Sequence, residues 1–490
     1  MTRPLVFAVI AALASASLAA GATAPREASP AEPPMVFTRP LRLPECIDLA
    51  LRNNIPLRVA RADLARAHGG YVSSLAKFTP VLSGAASQQH TTDRLLSAPD
   101  SSGPLPEERT VSEKHVMSGG IRQEIPGGLK LDITQELGPD DALPSKSRNR
   151  QFQATATQPL LRGAGLTASM ADLRGATYDE KAAEADFRDL ERQTILDVKL
   201  AYYAAIRDVE LLRVAQSALN ADSLLVEASN AMVEAKVASR RDVLSARIRL
   251  ADDLSTVVAA ERDELGSLDV LKDVMGIPLE TTVAISDTSL DAHIVTLDET
   301  KLVQRVIATH PSLESAEFAI RRSRLDLTVA QNARLPQVDL QASYFQDFGQ
   351  KFDTGDIGRG SGWIASVNLL YPLFDRSAEG DAIARRAELA QAKDRLKILE
   401  RQLTLRVREI VRTVRSSAEE IKAIQQTIDA ADDKLQFATA MFNLGRASNL
   451  DITDARSDLV SARTKMVKKL VDYNGQLALL ESLTGEPVGR

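Results

Sequence analysis

The sequence predicts a mainly α-helical protein made of two tandem repeats, with a smaller β part that can close into a barrel only if several chains pool their strands. Three observations carry this: the chain repeats itself, heptads run through long helical stretches, and short alternating segments sit at matched places in both halves. Leu190-Glu191-Arg192-Gln193 recurs as Leu399-Glu400-Arg401-Gln402, 209 positions later. The same offset of 209 pairs Ala238-Ser239 with Ala447-Ser448, Asp242 with Asp451, and Gly276 and Pro278 with Gly485 and Pro487. Upstream, an offset of 256 pairs Leu57 with Leu313, Ala60 with Ala316 and Pro80 with Pro336. Internal repetition of this kind outranks local motifs in reading a fold. The offset drops to 213 where Gln158-Pro159-Leu160 aligns with Tyr371-Pro372-Leu373, which places about 43 extra residues between the strands of the first half.

Composition agrees with long helices. The chain has 490 residues, 44% hydrophobic and 26% charged, so it is not a disordered chain. Aromatics are only 4%, and the net charge of −6 gives no sign of a nucleic-acid partner. Residues 1–22 read as a cleaved export signal: Arg3, an apolar run from Leu5 to Leu18, then Ser17-Leu18-Ala19 and Ala20-Gly21-Ala22 as small-residue cleavage patterns. No later stretch approaches the ~18 apolar residues of a spanning helix. The single cysteine, Cys46, cannot form an internal disulfide and reads as a small buried residue.

Residues 23–43 form a proline-rich arm, and the first repeat then runs over 44–280. A helix is expected from Pro44 to Lys77, ended by Pro80, with a counterpart from Asp298 to Arg334, ended by Pro336. Period-two segments follow. Val338, Leu340, Ala342 and Tyr344 alternate with Asp339, Gln341 and Ser343, and Trp363, Ala365, Val367 and Leu369 alternate with Ser366 and Asn368. In the first half, Val81–His90 and Gln151–Gln158 are the matching strands, giving four per chain. Each is close to the ~9–11 residues that cross a bilayer as a tilted strand. The insertion at 91–150 carries a further hairpin signal at Ile125-Pro126-Gly127-Gly128 and is expected at the cell surface. That hairpin, over 117–136, extends or joins the barrel wall; its entry into the membrane is left open.

Past Pro159 and Pro372 the period becomes helical. Leu403, Ile410, Ile424, Ala431 and Ala438 hold one heptad position, interrupted by Ser417, and Val407, Val414, Ile421, Ile428, Leu435 and Phe442 hold the other. Gly445 is expected to break this helix, and a partner runs back with Leu459, Met466, Tyr473 and Leu480 on its seam. The first half repeats the hairpin, turning near Lys236–Arg241. A linker over 281–298 leads into the second repeat, 299–490.

Four strands in one chain leave open edges whose backbone groups hydrocarbon cannot satisfy. A symmetric ring of chains is the natural closed solution, with the helical hairpins forming a second, coaxial wall: a conduit. Enzyme signals are poor. The five histidines lack metal-ligand spacing, and Gly355, Gly358, Gly360 and Gly362 sit in a strand-to-strand loop rather than a phosphate loop. No catalytic group, cofactor or metal site is expected. A periplasmic coiled-coil scaffold without a pore is the alternative. It explains the heptads but not the matched alternating segments, with Trp363 and Tyr371 bracketing one strand as interface aromatics do.

Two repeats of this layout, with Tyr371-Pro372-Leu373-Phe374-Asp375 at a strand exit and Asn443-Leu444-Gly445-Arg446-Ala447-Ser448-Asn449-Leu450-Asp451 at a hairpin turn, resemble the TolC-like outer-membrane efflux proteins. The resemblance covers about 44–488. It implies a homotrimer in outer-membrane lipid, four strands per chain in a twelve-stranded barrel, and a periplasmic helical tunnel. It also implies service as the exit duct of an inner-membrane pump of RND, ABC or MFS type, or of a type I secretion transporter, through a periplasmic adaptor. In such proteins acidic residues at the periplasmic tip narrow the channel. The matching positions here are Asp451 and Asp454, with Asp242 at the first-half tip. A tyrosine and an arginine usually latch that tip, but Phe442 and Ala447 stand in their places. Arg446, Arg240 and Arg241 are the nearby candidates for a substitute pairing with Asp242 or Asp451.

Overall fold

The computed structural model describes residues 37, 39–96, 107–140, 147–234, 239–287, 290, 294–351, 357–374, 376–444 and 446–487. The expected export signal at 1–22, residues 97–106 of the expected insertion and Gly445 lie outside the described residues. The first repeat comprises α1 (Leu43–Asn53), α2 (Ile55–Leu75), β1 (Val81–Leu96), β2 (Glu107–Ile125), β3 (Leu129–Asp140), β4 (Ser147–Pro159), α3 (Ala171–Glu234) and α4 (Arg240–Met275). The second comprises α5 (Glu299–Thr309), α6 (Pro311–Ala333), β5 (Gln337–Lys351), β6 (Ile357–Leu370), α7 (Ser377–Asn443) and α8 (Asn449–Thr484).

Each expected single helix before the strands is two helices. The break falls at Asn54 in the first repeat and at His310 in the second, just before Pro56 and Pro311. Proline fits the first turn of a helix, as Pro56 and Pro311 do here, and Pro311 also disfavours helical backbone at His310 before it. The residue at each break caps the new helix: Asn54 Oδ1 accepts from the Leu57 amide at 3.0 Å, and His310 Nδ1 accepts from the Ser312 amide at 3.3 Å.

The long helices carry the length. α3 has 64 residues and α7 has 67, so each spans about 100 Å at about 1.5 Å per residue. The heptad seam of α7 is buried at Leu403, Val407, Ile410, Val414, Ser417, Ile421, Ala431, Ala438 and Phe442, and half-buried at Ile424, Ile428 and Leu435. Two cores form where the short helices pack on the long ones. Cys46 and Ala50 of α1 meet Val198, Tyr202 and Ile206 of α3 and Leu271 and Met275 of α4. Val306 of α5 meets Val407, Ile410 and Val414 of α7 and Tyr473 and Leu480 of α8. Cys46 is fully buried, and burial, with Glu45 beside it, pushes its thiol up to about 12. It is an inert core residue.

The expected fold class holds, but the strand count changes. All six strands form one antiparallel sheet in the order β1-β2-β3-β4-β5-β6, a simple meander. The hairpin whose placement the sequence left open therefore lies inside the sheet, between the two strands that were expected to be neighbours. Its Pro126-Gly127-Gly128 turn, expected at the cell surface with the rest of the insertion, is not at the end of the sheet away from the helices. It sits at the helical end: the Gly127 amide donates to Ser169 Oγ at 2.9 Å, and Gln158 Nε2 donates to the Gly127 carbonyl at 3.2 Å. Gly128 has φ +93°, and a Cβ there would lie 2.9 Å from the Pro159 ring, so only glycine fits. Among the described residues no helix is long and apolar enough to cross a membrane.

Candidate functional site

Two regions carry chemistry beyond packing: the two-faced sheet and the far tip of the helical hairpins. On one face of the sheet stand Ile121, Ile133, Ala154, Ala156, Leu340, Ala342, Tyr344, Trp363, Val367 and Leu369, placed together by the strand register. Trp363 is 78% exposed, Val367 64% and Leu369 69%. An exposed apolar surface of this extent requires a nonaqueous partner. The opposite face is mostly polar, with Ser118, Arg122, Asp132, Thr134, Gln153, Thr155, Gln341, Ser343, Ser366 and Asn368, and carries Phe345, Ile364 and Leu370 as apolar exceptions on β5 and β6. Tyr371, Leu373 and Phe374 follow at the helical end of β6, with Phe374 96% exposed.

At the tip, α4 and α8 start with the same device. Ser239 and Ser448 are N-caps whose third following residues, Asp242 and Asp451, reach back to them. Asp242 Oδ2 accepts from the Ser239 amide at 3.0 Å, and Asp451 Oδ2 accepts from the Ser448 amide at 2.7 Å and hydroxyl at 2.8 Å. These bonds, the hydroxyl's first, hold the Asp451 carboxyl below the usual carboxylate range. Asp451 and Asp454 are exposed, and Asp242 is half-buried. Asp454 faces Arg249 of α4, with Nη2 to Oδ1 at 3.7 Å.

The substituted latch positions have a clear structural role. Phe442 packs with Leu225, Ala438, Ile452 and Ala455, and Ala447 packs against the same cluster. The tip is thus joined by an apolar contact where a polar one was expected. Arg240, Arg241 and Arg446 are exposed and make no ion pair among the described residues.

The polar links between the repeats lie elsewhere, at residues the sequence did not single out. Arg456 of α8 ion-pairs with Asp222 of α3, which is 5% exposed. Asn449 of α8 donates to Ser229 Oγ at 3.2 Å and to the Asp242 carbonyl at 3.3 Å. Asp253 of α4 stands beside Asp222, and its Oδ2 is buried without a hydrogen-bond partner. Burial first, then the Asp222 carboxylate, push the Asp253 pKa up to about 6, against the opposing charges of Arg249 and Arg456. The signal that could have found them is weak: Asp222 and Arg456 are polar residues beside apolar seams.

The sequence profile of the outer membrane efflux protein family matches residues 302–486, the second repeat. Outer membrane protein TolC of Vibrio cholerae is 22% identical over 311 residues, covering 61% of this chain and 69% of TolC. The second repeat thus matches the outer membrane efflux protein family, and the chain is similar to TolC-like proteins. TolC of Escherichia coli is 20% identical over 373 residues, 71% of either chain. Alkaline protease secretion protein AprF of Pseudomonas aeruginosa is 22% identical over 315 residues, covering 61% of this chain and 63% of AprF. Among solved structures, the CmeC outer membrane channel of Campylobacter jejuni superposes with a TM-score of 0.69 at 15% identity, covering 91% of this chain and 86% of CmeC. VceC of Vibrio cholerae gives 0.67 at 17% identity, covering 91% and 96%. At these identities the structures establish the efflux-protein fold, and the likeness extends well beyond the segment that the family profile matches.

Proposed function

We propose that this protein is the outer-membrane exit duct of a tripartite efflux or type I secretion system, exported by its N-terminal signal and assembled as a homotrimer. The carrying observation is the sheet with one apolar and one polar face and two open edges, mounted on helical hairpins about 100 Å long. Such a sheet is satisfied when its edges pair with other copies, its apolar face meets lipid and its polar face meets water. Inner-membrane pump and periplasmic adaptor are the expected partners, engaging the helical tip. Light scattering of detergent-purified protein tests the assembly: a trimer is expected, and a monomer alone overturns it.

In this duct Asp451 and Asp454 ring the narrowest point at the tip, with Asp242 beside them. Threefold repetition concentrates their charge, and a desolvating constriction strengthens it relative to water. Replacing Asp451 and Asp454 together by alanine is expected to reduce cation preference and block by trivalent cations in planar bilayers. Loss of the Asp451 side of the capping box also weakens the start of α8, so oligomer recovery is measured alongside. Unchanged selectivity and block would leave these residues as helix-start acids only.

The Asp222–Asp253–Arg456 cluster makes the tip contact pH-sensitive. The groups facing Asp253 are Asp222 of α3, Arg249 of α4 and Arg456 of α8. A carboxyl raised from 3.8 to about 6 holds its proton more tightly in the packed state than when its surroundings open. The packed state is therefore favoured most at acid pH, and that preference is lost as pH rises through about 6. Conductance is expected to rise a few-fold between about pH 4 and about pH 7. In Asp253→Asn, which keeps the neutral form at every pH, that rise disappears; a wild-type profile in this variant would refute the assignment.

A further inference from the structure

We propose that the β2–β3 hairpin is itself a membrane-wall element, so that the ring carries six strands from each chain, eighteen in a trimer, instead of twelve. This rests on the exit-duct reading and extends it. The partner of the hairpin's outer face is lipid hydrocarbon, and the partners of the two sheet edges are further copies of this chain.

The register makes the case. β2 and β3 alternate in phase with the strands around them. Met117 lies opposite Leu137, Ile121 opposite Ile133, and Ile125 opposite Leu129 on the apolar face. Across the next pairing, Leu131 meets Ala156 and Ile133 meets Ala154, and these lead on to Ala342 and Tyr344 of β5. Toward the other edge, Leu82 meets Ile121 and Ala86 meets Met117. Met117 is 63% exposed and Leu82 81%, with no protein covering them in one chain. A surface hairpin bathed in water has no reason to keep this face apolar, because side chains on both faces would be solvated. The other face stays polar in step. Arg122 Nε pairs with Asp132 Oδ2 across the hairpin at 2.8 Å, on the side of Thr155 and Ser343.

The hairpin is also held at the height of its neighbours. Glu124, near the end of β2, lies 3.6 Å from Lys77, whose ammonium also pairs with Asp172 of α3 at 3.1 Å. With the Gly127–Ser169 hydrogen bond, this ties the turn to the top of the helices, where a barrel rim would stand. Parity completes the argument. An inserted pair of strands leaves β1 and β6 running in opposite directions, so copies can still join edge to edge in an antiparallel ring. At fixed tilt the barrel widens with strand number, from about 24 Å to about 36 Å across its backbone for a spacing of about 4.8 Å and a tilt of about 40°. The mouth then opens wider than that of a twelve-stranded duct, and sorting of cargo by size falls to the helical part.

Fluorophores on single introduced cysteines in liposome-reconstituted protein test this, with Cys46 silent in the core. Ile121→Cys and Ile133→Cys report the apolar face of the hairpin, and Ser118→Cys and Thr134→Cys the polar face. Ala342→Cys and Ser343→Cys on β5 are the reference pair. All are measured on material that elutes as the wild-type oligomer. The expected result is quenching by brominated phosphatidylcholine at 121, 133 and 342, and by aqueous iodide at 118, 134 and 343, with a several-fold contrast between faces. If the β5 pair alternates while all four hairpin positions respond only to iodide, the hairpin is outside the wall, and the duct stands with twelve strands. If neither alternates, the barrel reading falls and the hairpin proposal with it.

Discussion

Arg456→Ala is expected to open the periplasmic tip. Arg456 is the cationic partner of Asp222, a carboxylate left 5% exposed at the contact between the two repeats. Removing one member of a buried pair strands the other, at a cost on the order of 3 kcal/mol. Here the cost is sharpened by Asp253, which adds a second carboxyl beside Asp222. Packing of α8 against α3 is the link that loses, because it is where the charge sits, while the two midsection cores are untouched. The expected readout is a large rise in single-channel conductance in planar bilayers, with unchanged trimer recovery and melting of the bulk helix signal. Asp222→Asn combined with Arg456→Ala is expected to recover part of the closure, since the buried Asp222 charge is then gone and Asp253 keeps Arg249 as its opposing charge. Wild-type conductance in Arg456→Ala would show that the ion pair does not hold the tip.

Val367→Arg is expected to abolish insertion, while Ser366→Arg is tolerated. Val367 lies on the apolar face, opposite Leu340, and Ser366 on the polar face, opposite Gln341. An arginine facing lipid at mid-bilayer costs roughly 2–4 kcal/mol in a transmembrane barrel, and the proposed trimer would carry that cost in every copy. An arginine facing the lumen stays hydrated. Outer-membrane fractionation after urea washing checks both: Val367→Arg should be lost from the membrane fraction, and Ser366→Arg retained. Equal behaviour of the two adjacent substitutions would mean that the sheet does not separate lipid from water.

What the sequence made legible was periodic. The heptad of α7, from Leu403 to Phe442, could be read because every seventh residue must meet the same partner helix, and its seam is buried as expected. The alternation of Val338–Tyr344 was legible for the same reason at period two. The helix breaks at Asn54 and His310 were missed although Pro56 and Pro311 marked them, because the apolar pattern continues across both. The place of the β2–β3 hairpin was left open because alternation reports a strand's two faces but not its neighbours; only the register of β1 with β2 and of β3 with β4 supplies that. The matching helix-start positions of Asp242 and Asp451 were legible through the repeat offset. The Arg456–Asp222 pair was not, since its members belong to different repeats and to no shared spacing.

The two midsection cores draw on stretches of chain that do not overlap. One is assembled from residues between Leu41 and Val283, the other from residues between Leu297 and Leu480. A chain made N-terminus first therefore holds every residue of the first core before the second has arrived, and domains generally fold in that order. The pairing of β4 with β5 is different: its partners flank the whole first helical hairpin, so it must wait for the second half of the chain. Until then β4 presents a bare edge, and a folding partner that shields strand edges has its clearest target there.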